Sequence, residues 1–360
     1  MTIYIIIIIL TILLGYCLKP NKNQKNKKIY IIIIFSILAI VAAIRNYTVG
    51  VDTPQFCDAF EKISRMTIEQ AKESTRYEIG FITLCKLLSY ITTDYQILII
   101  VTSLFIMYSV GQFIYKESKD CILSSLLFIL LNCYAMYMNV MRQAIAISII
   151  LLGYTYFFKN NKIIKYFFTI IFASLFHQSA IIMIVTIFLQ KLKFKNKYFL
   201  ITIITSGIIF VFANPILNLF TKLFTTYSGY LEGQFAVSNY FASVLNALVA
   251  IVFFVIGICY NKNKFKEKDR TVLDFYAFMI MLNVIFFVAT IKISIFNRLT
   301  TYFNIFNVVW IPEFISNIQK KEDKRFILLI LLLCTLFYWG IISIYRPEWH
   351  GVVPYKTFFE

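Results

Sequence analysis

Long apolar runs, broken by short polar stretches, set the pattern of this chain from end to end. IYIIIIILTILLGYCL (3–18) and IYIIIIFSILAIVAAI (29–44) come first. Similar runs follow near 95–114, 121–138, 141–158, 198–213, 241–260, 271–291, 299–316 and 326–345. A bilayer core of about 30 Å takes around 20 apolar residues as a helix, so each run predicts a transmembrane span. The first run lacks a basic leader and an A-x-A cleavage site and reads as a retained span, not a signal peptide.

Two stretches do not fit as full spans. Residues 79–91 are too few, yet Phe81, Leu84, Leu87, Leu88 and Ile91 recur at helical spacing, which predicts a re-entrant or interfacial helix. Residues 163–190 lie between lysine-rich loops and cannot cross twice in full. They predict a hairpin of two short helices with a break near His177 in LFHQSA, buried in protein because bare backbone cannot face lipid. The fold expected is an all-α polytopic integral membrane protein with about 12 transmembrane crossings and both termini outside. It forms a single transmembrane domain, 1–360, with long outer loops at 45–78 and 214–240.

Composition agrees: 60% of residues are hydrophobic and 15% charged, against about 25% charged in soluble domains. The net charge of +17 invites a nucleic-acid reading, but its distribution argues against one. Most basic residues fall in six short loops, 19–28, 116–120, 159–165, 191–197, 262–270 and 320–325, and the opposite face is left near neutral. The charge is therefore a topology signal that puts those loops in the cytoplasm. The seven cysteines form no CxxC and no Cys/His cluster, so neither a disulfide framework nor a metal site is expected. No phosphate-binding glycine loop, HExxH, GxSxG or DxD-type site occurs, and no cofactor is implied.

The candidate chemistry lies in polar residues that a membrane should not hold. NVMRQAIAIS places Asn139, Arg142 and Gln143 at i, i+3 and i+4, which predicts one shared helix face at the outer end of a span. An intramembrane arginine costs at least about 2.5 kcal/mol and normally faces a cavity or a partner; the alternative is snorkelling to the headgroups. IRNYTVGVDT supplies Arg45, Asn46, Gly50 and Asp52 on the same side. RYEIGF supplies Arg76, Tyr77, Glu78 and Gly80, SLFHQSA supplies His177, Gln178 and Ser179, and FNRLTTYF supplies Arg298 and Tyr302. Lysine serves the cytoplasmic loops, whereas Arg45, Arg65, Arg76, Arg142, Arg298 and Arg346 all fall outside. Arginine adds a bidentate fork that matches phosphate and carboxylate. Three of them in one cavity would suit a diphosphate; singly, they would only anchor helix ends.

The ordered set RNYTVGVDT, YEIGF, MRQAIA, ASLFHQSA, NRLTTYF and PYKTFF resembles the EpsG family of Wzy-like exopolysaccharide and capsule polymerases, from about residue 40 to the C-terminus. The resemblance implies a bacterial cytoplasmic-membrane enzyme whose active site faces outside. It would join oligosaccharide repeat units carried on undecaprenyl diphosphate, among membrane lipids and other polysaccharide-assembly proteins, with no nucleic acid. On that reading Arg142 and Arg298, supported by Arg45, clamp the leaving diphosphate. Glu78, then His177, then Asp52 are the candidates for general base. Gln143, Asn46 and Tyr302 orient sugars. The rivals are a transporter or flippase of lipid-linked oligosaccharide, for which repeated halves and midplane broken helices would speak, and a ligase, which differs only in its acceptor.

Overall fold

A computed structural model of the chain describes residues 1–216, 218, 240–260 and 267–360. The expected outer loop 214–240 and the basic loop 262–270 fall largely outside the described residues. Among the described residues the secondary structure is helical, with one isolated antiparallel bridge between Arg45 and Thr357. The chain divides into two compact units, one of Met1–Ile184 with Ile318–Glu360 and one of Val185–Asn317.

The first unit begins with α1 (Thr2–Leu18) and α2 (Gln24–Ala43). The segment expected as an outer loop carries α3 (Thr53–Ser64) and α4 (Ile68–Ser74), and α5 (Ile79–Ser89) occupies the stretch read as re-entrant or interfacial. Then come α6 (Gln96–Glu117), α7 (Cys121–Leu130), α8 (Cys133–Asn139), α9 (Met141–Gly153) and α10 (Ile163–Ser174). Local chemistry starts these helices. Asn23 caps α2 by accepting from the Asn26 N–H, Asp120 caps α7 by accepting from Ile122 and Leu123, and Thr67 with Gln70 closes a capping box on α4. Asn132, in the left-handed region at φ 57°, separates α7 from α8, and the pair is bent by 54°.

Packing in this unit runs from α2 to α6, from α6 to α9 and from α9 to α10, with α1 against α2 and α7. Side chains such as Tyr30, Leu38, Val110, Phe113, Phe128 and Ala144 are sealed from solvent between them. By contrast Ile5, Ile9 and Leu13 of α1, and Phe326, Leu333 and Phe337 of the Lys321–Gly340 helix, stand exposed. Large apolar side chains in such continuous stripes are an interface with lipid or protein, not with water.

The two ends of this unit differ in charge. Lys159 pairs with Glu117 at 2.7 Å, and Lys27 donates to the Ser118 carbonyl at 2.7 Å. The loops at 19–28, 116–120 and 159–165 therefore meet at one end. At the other end Gln96 of α6 donates to the Ala43 carbonyl of α2 at 2.7 Å. The Tyr4 hydroxyl also donates to the Val352 carbonyl at 3.0 Å, so the start of α1 and the C-terminal tail lie together.

Among the described residues, five helices are long and apolar enough to cross a membrane: Gln24–Ala43, Gln96–Glu117, Met141–Phe158, Val272–Thr290 and Lys321–Tyr345. The bent α7–α8 pair makes a sixth candidate. Thr2–Leu18, Lys197–Val211 and Tyr240–Ile256 are shorter apolar helices on other expected spans.

In the second unit, helix Glu267–Thr290 packs against Lys197–Val211 and Tyr240–Tyr260. The expected span 299–316 is broken here into Asn297–Asn304 and Asn307–Ser316. Asn304 Oδ1 sits beside the break and accepts from Asn307 Nδ2 at 3.0 Å and Asn283 Nδ2 at 3.5 Å. These amides satisfy part of the polar load that a broken helix brings into an apolar bundle.

Candidate functional site

The site grows from a weld between two helix ends. The chain leaves α10 at Ser174, passes Leu175 to His177, and re-enters helix as a 3-10 turn over Gln178–Ile184. A helix C-terminus leaves carbonyls without partners and an N-terminus leaves amides without them. Here the Gly80 N–H at the head of α5 donates to the Leu175 carbonyl at 2.8 Å, so two orphan groups satisfy each other. The approach requires glycine, because a Cβ at position 80 would lie 2.7 Å from that same oxygen.

Glu78, two residues before Gly80, occupies the N-cap position of α5, but its side chain makes no cap. It reaches across the weld. Oε2 accepts from Arg142 Nη1, while Oε1 lies 3.3 Å from His177 Nδ1 and accepts from the Gln178 N–H at 3.2 Å. Residues 78, 142 and 177, from three separate motifs, thus form one ion-paired cluster. Their side chains are only 11%, 13% and 5% exposed, so little water screens the charges. Burial alone would raise the Glu78 carboxyl. The hydrogen bond to His177 and the Arg142 charge outweigh it and hold the group below the usual carboxylate range.

Arg142 lies in the first turn of α9, where the helix dipole disfavours a cation. Aromatic faces and the carboxylate compensate. Its guanidinium carbon is 4.7 Å from the Tyr77 ring centroid, 5.8 Å from Phe56 and 6.0 Å from Phe81. The three rings pack on one another as a cage. Nε of Arg142 is buried without a hydrogen-bond partner, so one arm of the fork is engaged and another is not.

Arg45 is placed differently. It is 2% exposed; Nη1 donates to the Ala42 carbonyl and, at 2.9 Å, to Ser103 Oγ, and Nη2 donates to the Met138 carbonyl at 3.2 Å. Around it the C-terminal tail doubles back as a strap. Asn46 N–H donates to Lys356, Gly50 N–H to Gly351, Val51 N–H to His350 and Phe358 N–H to Ile44. The Tyr355 hydroxyl donates to Val41 at 2.7 Å. Asn46 holds its own turn by accepting from Thr48 N–H and Oγ1. Asp52 stands at the N-cap of α3, partly exposed. RNYTVGVDT and PYKTFF, at opposite ends of the sequence, are one structural element.

The shared face expected for Asn139, Arg142 and Gln143 does not form. Val140, at φ −83° and ψ 53°, ends α8 and precedes α9, so helical spacing is lost between Asn139 and Arg142. Asn139 instead donates to the Ala135 carbonyl and, at 2.6 Å, to that of His350 in the strap. Gln143 is buried next to Arg142. Arg298 and Tyr302 share one continuous helix of the second unit, Tyr302 buried and Arg298 partly exposed. The sequence reading missed Phe56 as a cage wall and the Gln178 N–H as a donor. Phe56, Phe60 and Ile63 at i, i+4 and i+7 carried the signal for α3; nothing in a sequence announces a single backbone amide.

Among the described residues, helical structure with five or six candidate spans and large exposed apolar side chains fits a membrane protein in architecture. The chain belongs to the EpsG family, whose model matches residues 28–357, nearly the whole length. Membership fits an exopolysaccharide-related membrane protein. No curated protein and no solved structure matches the chain.

Proposed function

We propose that this protein polymerises a bacterial surface polysaccharide from repeat units carried on undecaprenyl diphosphate. The observation that carries the reading is the buried Glu78–Arg142–His177 cluster, which brings an imidazole and a guanidinium onto one carboxylate. A hydroxyl of the incoming lipid-linked unit attacks the anomeric carbon of the growing glycan. The new C–O bond forms as the bond from that carbon to the diphosphate breaks. The hydroxyl proton goes to Glu78, with His177 beside it as the next acceptor. The diphosphate lipid leaves with the bonding electrons, and Arg142 meets the charge. Gln143 orients sugars. Arg45 and Asn46 act through the strap as positioning residues, and Asp52 is the reserve base.

The charge at the two ends of the first unit supports an orientation. Three lysine-rich loops gather at one end, and by the positive-inside tendency that end is cytoplasmic. Arg142 opens α9 and Lys159 follows the π turn that closes it, so a span of about 27 Å separates the cluster from the lysine end. The cluster then faces outside, where lipid-linked units are assembled.

The test is a gel of lipid-linked glycans from cells lacking the protein, complemented with wild type or Arg142→Ala. Single repeat units on the outer leaflet without polymer, in the deletion and in the variant, support polymerisation at this cluster. Units trapped on the inner leaflet would make the protein a flippase. Polymer of normal length that stays on its lipid carrier would make it a ligase.

A further inference from the structure

We infer that the Glu78 carboxylate is a placeholder, seated where one phosphate of a lipid diphosphate binds, and that the ligand enters by displacing it. The inference deepens the polymerase reading and rests on it for the identity of the carrier. The seat is built for an anion. Arg142 Nη1, the His177 ring and the Gln178 N–H all converge on one carboxylate, with His177 and Gln178 on the same oxygen. Donors fixed in this way around two oxygens suit a phosphate group as well as a carboxylate.

The seat also has spare capacity. Arg142 holds Glu78 through Nη1, while its Nε, whose hydrogen points from the other edge of the guanidinium, is buried and unpartnered. The cage of Phe56, Tyr77 and Phe81 keeps the guanidinium in place whichever anion it holds. Glu78 is equally suited to leave. Its side chain does not cap α5, and the backbone of that turn is held by its own carbonyl, which accepts from Phe81 and Ile82. The swing of the carboxylate therefore breaks no helix.

A buried arginine without an anion carries a desolvation penalty, and Glu78 removes it while the site is empty. Displacement has a second consequence. Once the diphosphate takes Arg142, Glu78 loses the cation that weakens it as a base. Arrival of the donor then readies the group that accepts the proton, and an empty site stays in its less basic state.

The experiment is pyrophosphate binding to the full-length chain in lipid nanodiscs, without glycan, at fixed ionic strength. Glu78→Gln is expected to bind pyrophosphate at least about 10-fold more tightly than wild type, since its competitor is gone. Glu78→Asp, which keeps the charge but shortens the reach, is expected to fall between, and it carries the test alone if the glutamine variant does not fold. Arg142→Gln is expected to abolish binding. Equal or weaker binding by the folded Glu78 variants would overturn the placeholder. Farnesyl diphosphate should bind more tightly than pyrophosphate; parity would overturn the assignment to a lipid carrier in favour of free diphosphate. No sugar transfer is read, so the result stands apart from the leaflet test of the polymerase itself.

Discussion

Arg142 and Arg45 look alike in sequence, each at one end of an apolar run beside an asparagine or glutamine. In the structure they are opposites. Arg45 gives its fork to two backbone carbonyls and a serine, all protein groups that cannot leave. Arg142 gives one arm to a movable carboxylate and rests on aromatic faces. Burial does not separate a structural arginine from a ligand-binding one, because both are largely buried. The partners do. Carbonyls fix the helix ends that bear them, whereas a carboxylate can be exchanged for another anion of similar shape.

The sharpest way to break this comparison is to remove each guanidinium. Arg45→Ala leaves the Ala42 and Met138 carbonyls and Ser103 without their donor and opens a cavity between α2, α6 and α8. The expected loss is about 3 kcal/mol or more of stability, seen as low membrane abundance and a lowered melting temperature. Arg142→Gln leaves Glu78 beside His177 and the Gln178 N–H, so it should lower the melting temperature less than Arg45→Ala, while polymer per molecule falls by about 10²- to 10³-fold. Normal abundance of Arg45→Ala with lost polymer would make Arg45 a ligand group after all and erase the distinction.

Much of this was legible in the sequence because it is periodic or costly. Apolar runs of span length have few other uses, and Phe81, Leu84, Leu87 and Leu88 announced α5. Arg142, Glu78 and His177 could be singled out because charge in an apolar context demands a reason. Partner choice was not legible. Whether Arg45 or Arg142 meets Glu78 depends on the 54° bend at Asn132 and on the interruption at Val140, two local backbone events with no periodic signature. Nor does a sequence show that a C-terminal tail will pair with residues 44–51; that pairing is made by backbone groups, which every residue has.

Two glycines give a smaller contrast of the same kind. Gly80→Ala would push α5 off the Leu175 carbonyl and shift Glu78 relative to His177. Misplacement of about 1 Å can lower turnover by up to 10²-fold, so polymer should fall further than abundance. Gly50 sits at φ +106°, and its added Cβ would lie 2.5 Å from Thr53 Oγ1 in the strap region. Gly50→Ala should lower stability by about 1–3 kcal/mol and polymer only in proportion. If Gly80→Ala also loses polymer only in proportion to protein, the weld serves the fold and not the site.

Acid titration tests the same cluster without removing a residue that fills space. The Glu78 pKa is depressed in the folded chain from its ordinary value of 4.5. Its contribution to stability is therefore fully present above the unfolded value and is lost as pH falls through the lower folded one. Between wild type and Glu78→Gln, the difference in melting temperature should hold from neutral pH down to about 4.5 and shrink below it. A difference that does not change with pH would mean that the carboxylate is not charged against Arg142.

The smallest contrast is between two tyrosines. Tyr77→Leu keeps an apolar wall under Arg142 but removes the ring face at 4.7 Å, a loss of about 1 kcal/mol in holding the cation. Polymer synthesis should fall by roughly 5-fold with little change in melting temperature, because the guanidinium loses its seat and the helices keep theirs. Tyr355→Phe removes one hydrogen bond to the Val41 carbonyl, worth about 1 kcal/mol, from the strap. It should lower the melting temperature slightly and leave polymer per molecule unchanged. A reversal, with Tyr355→Phe lowering specific activity and Tyr77→Leu lowering only stability, would place the working surface at the strap and reduce the Glu78–Arg142 pair to a structural tie.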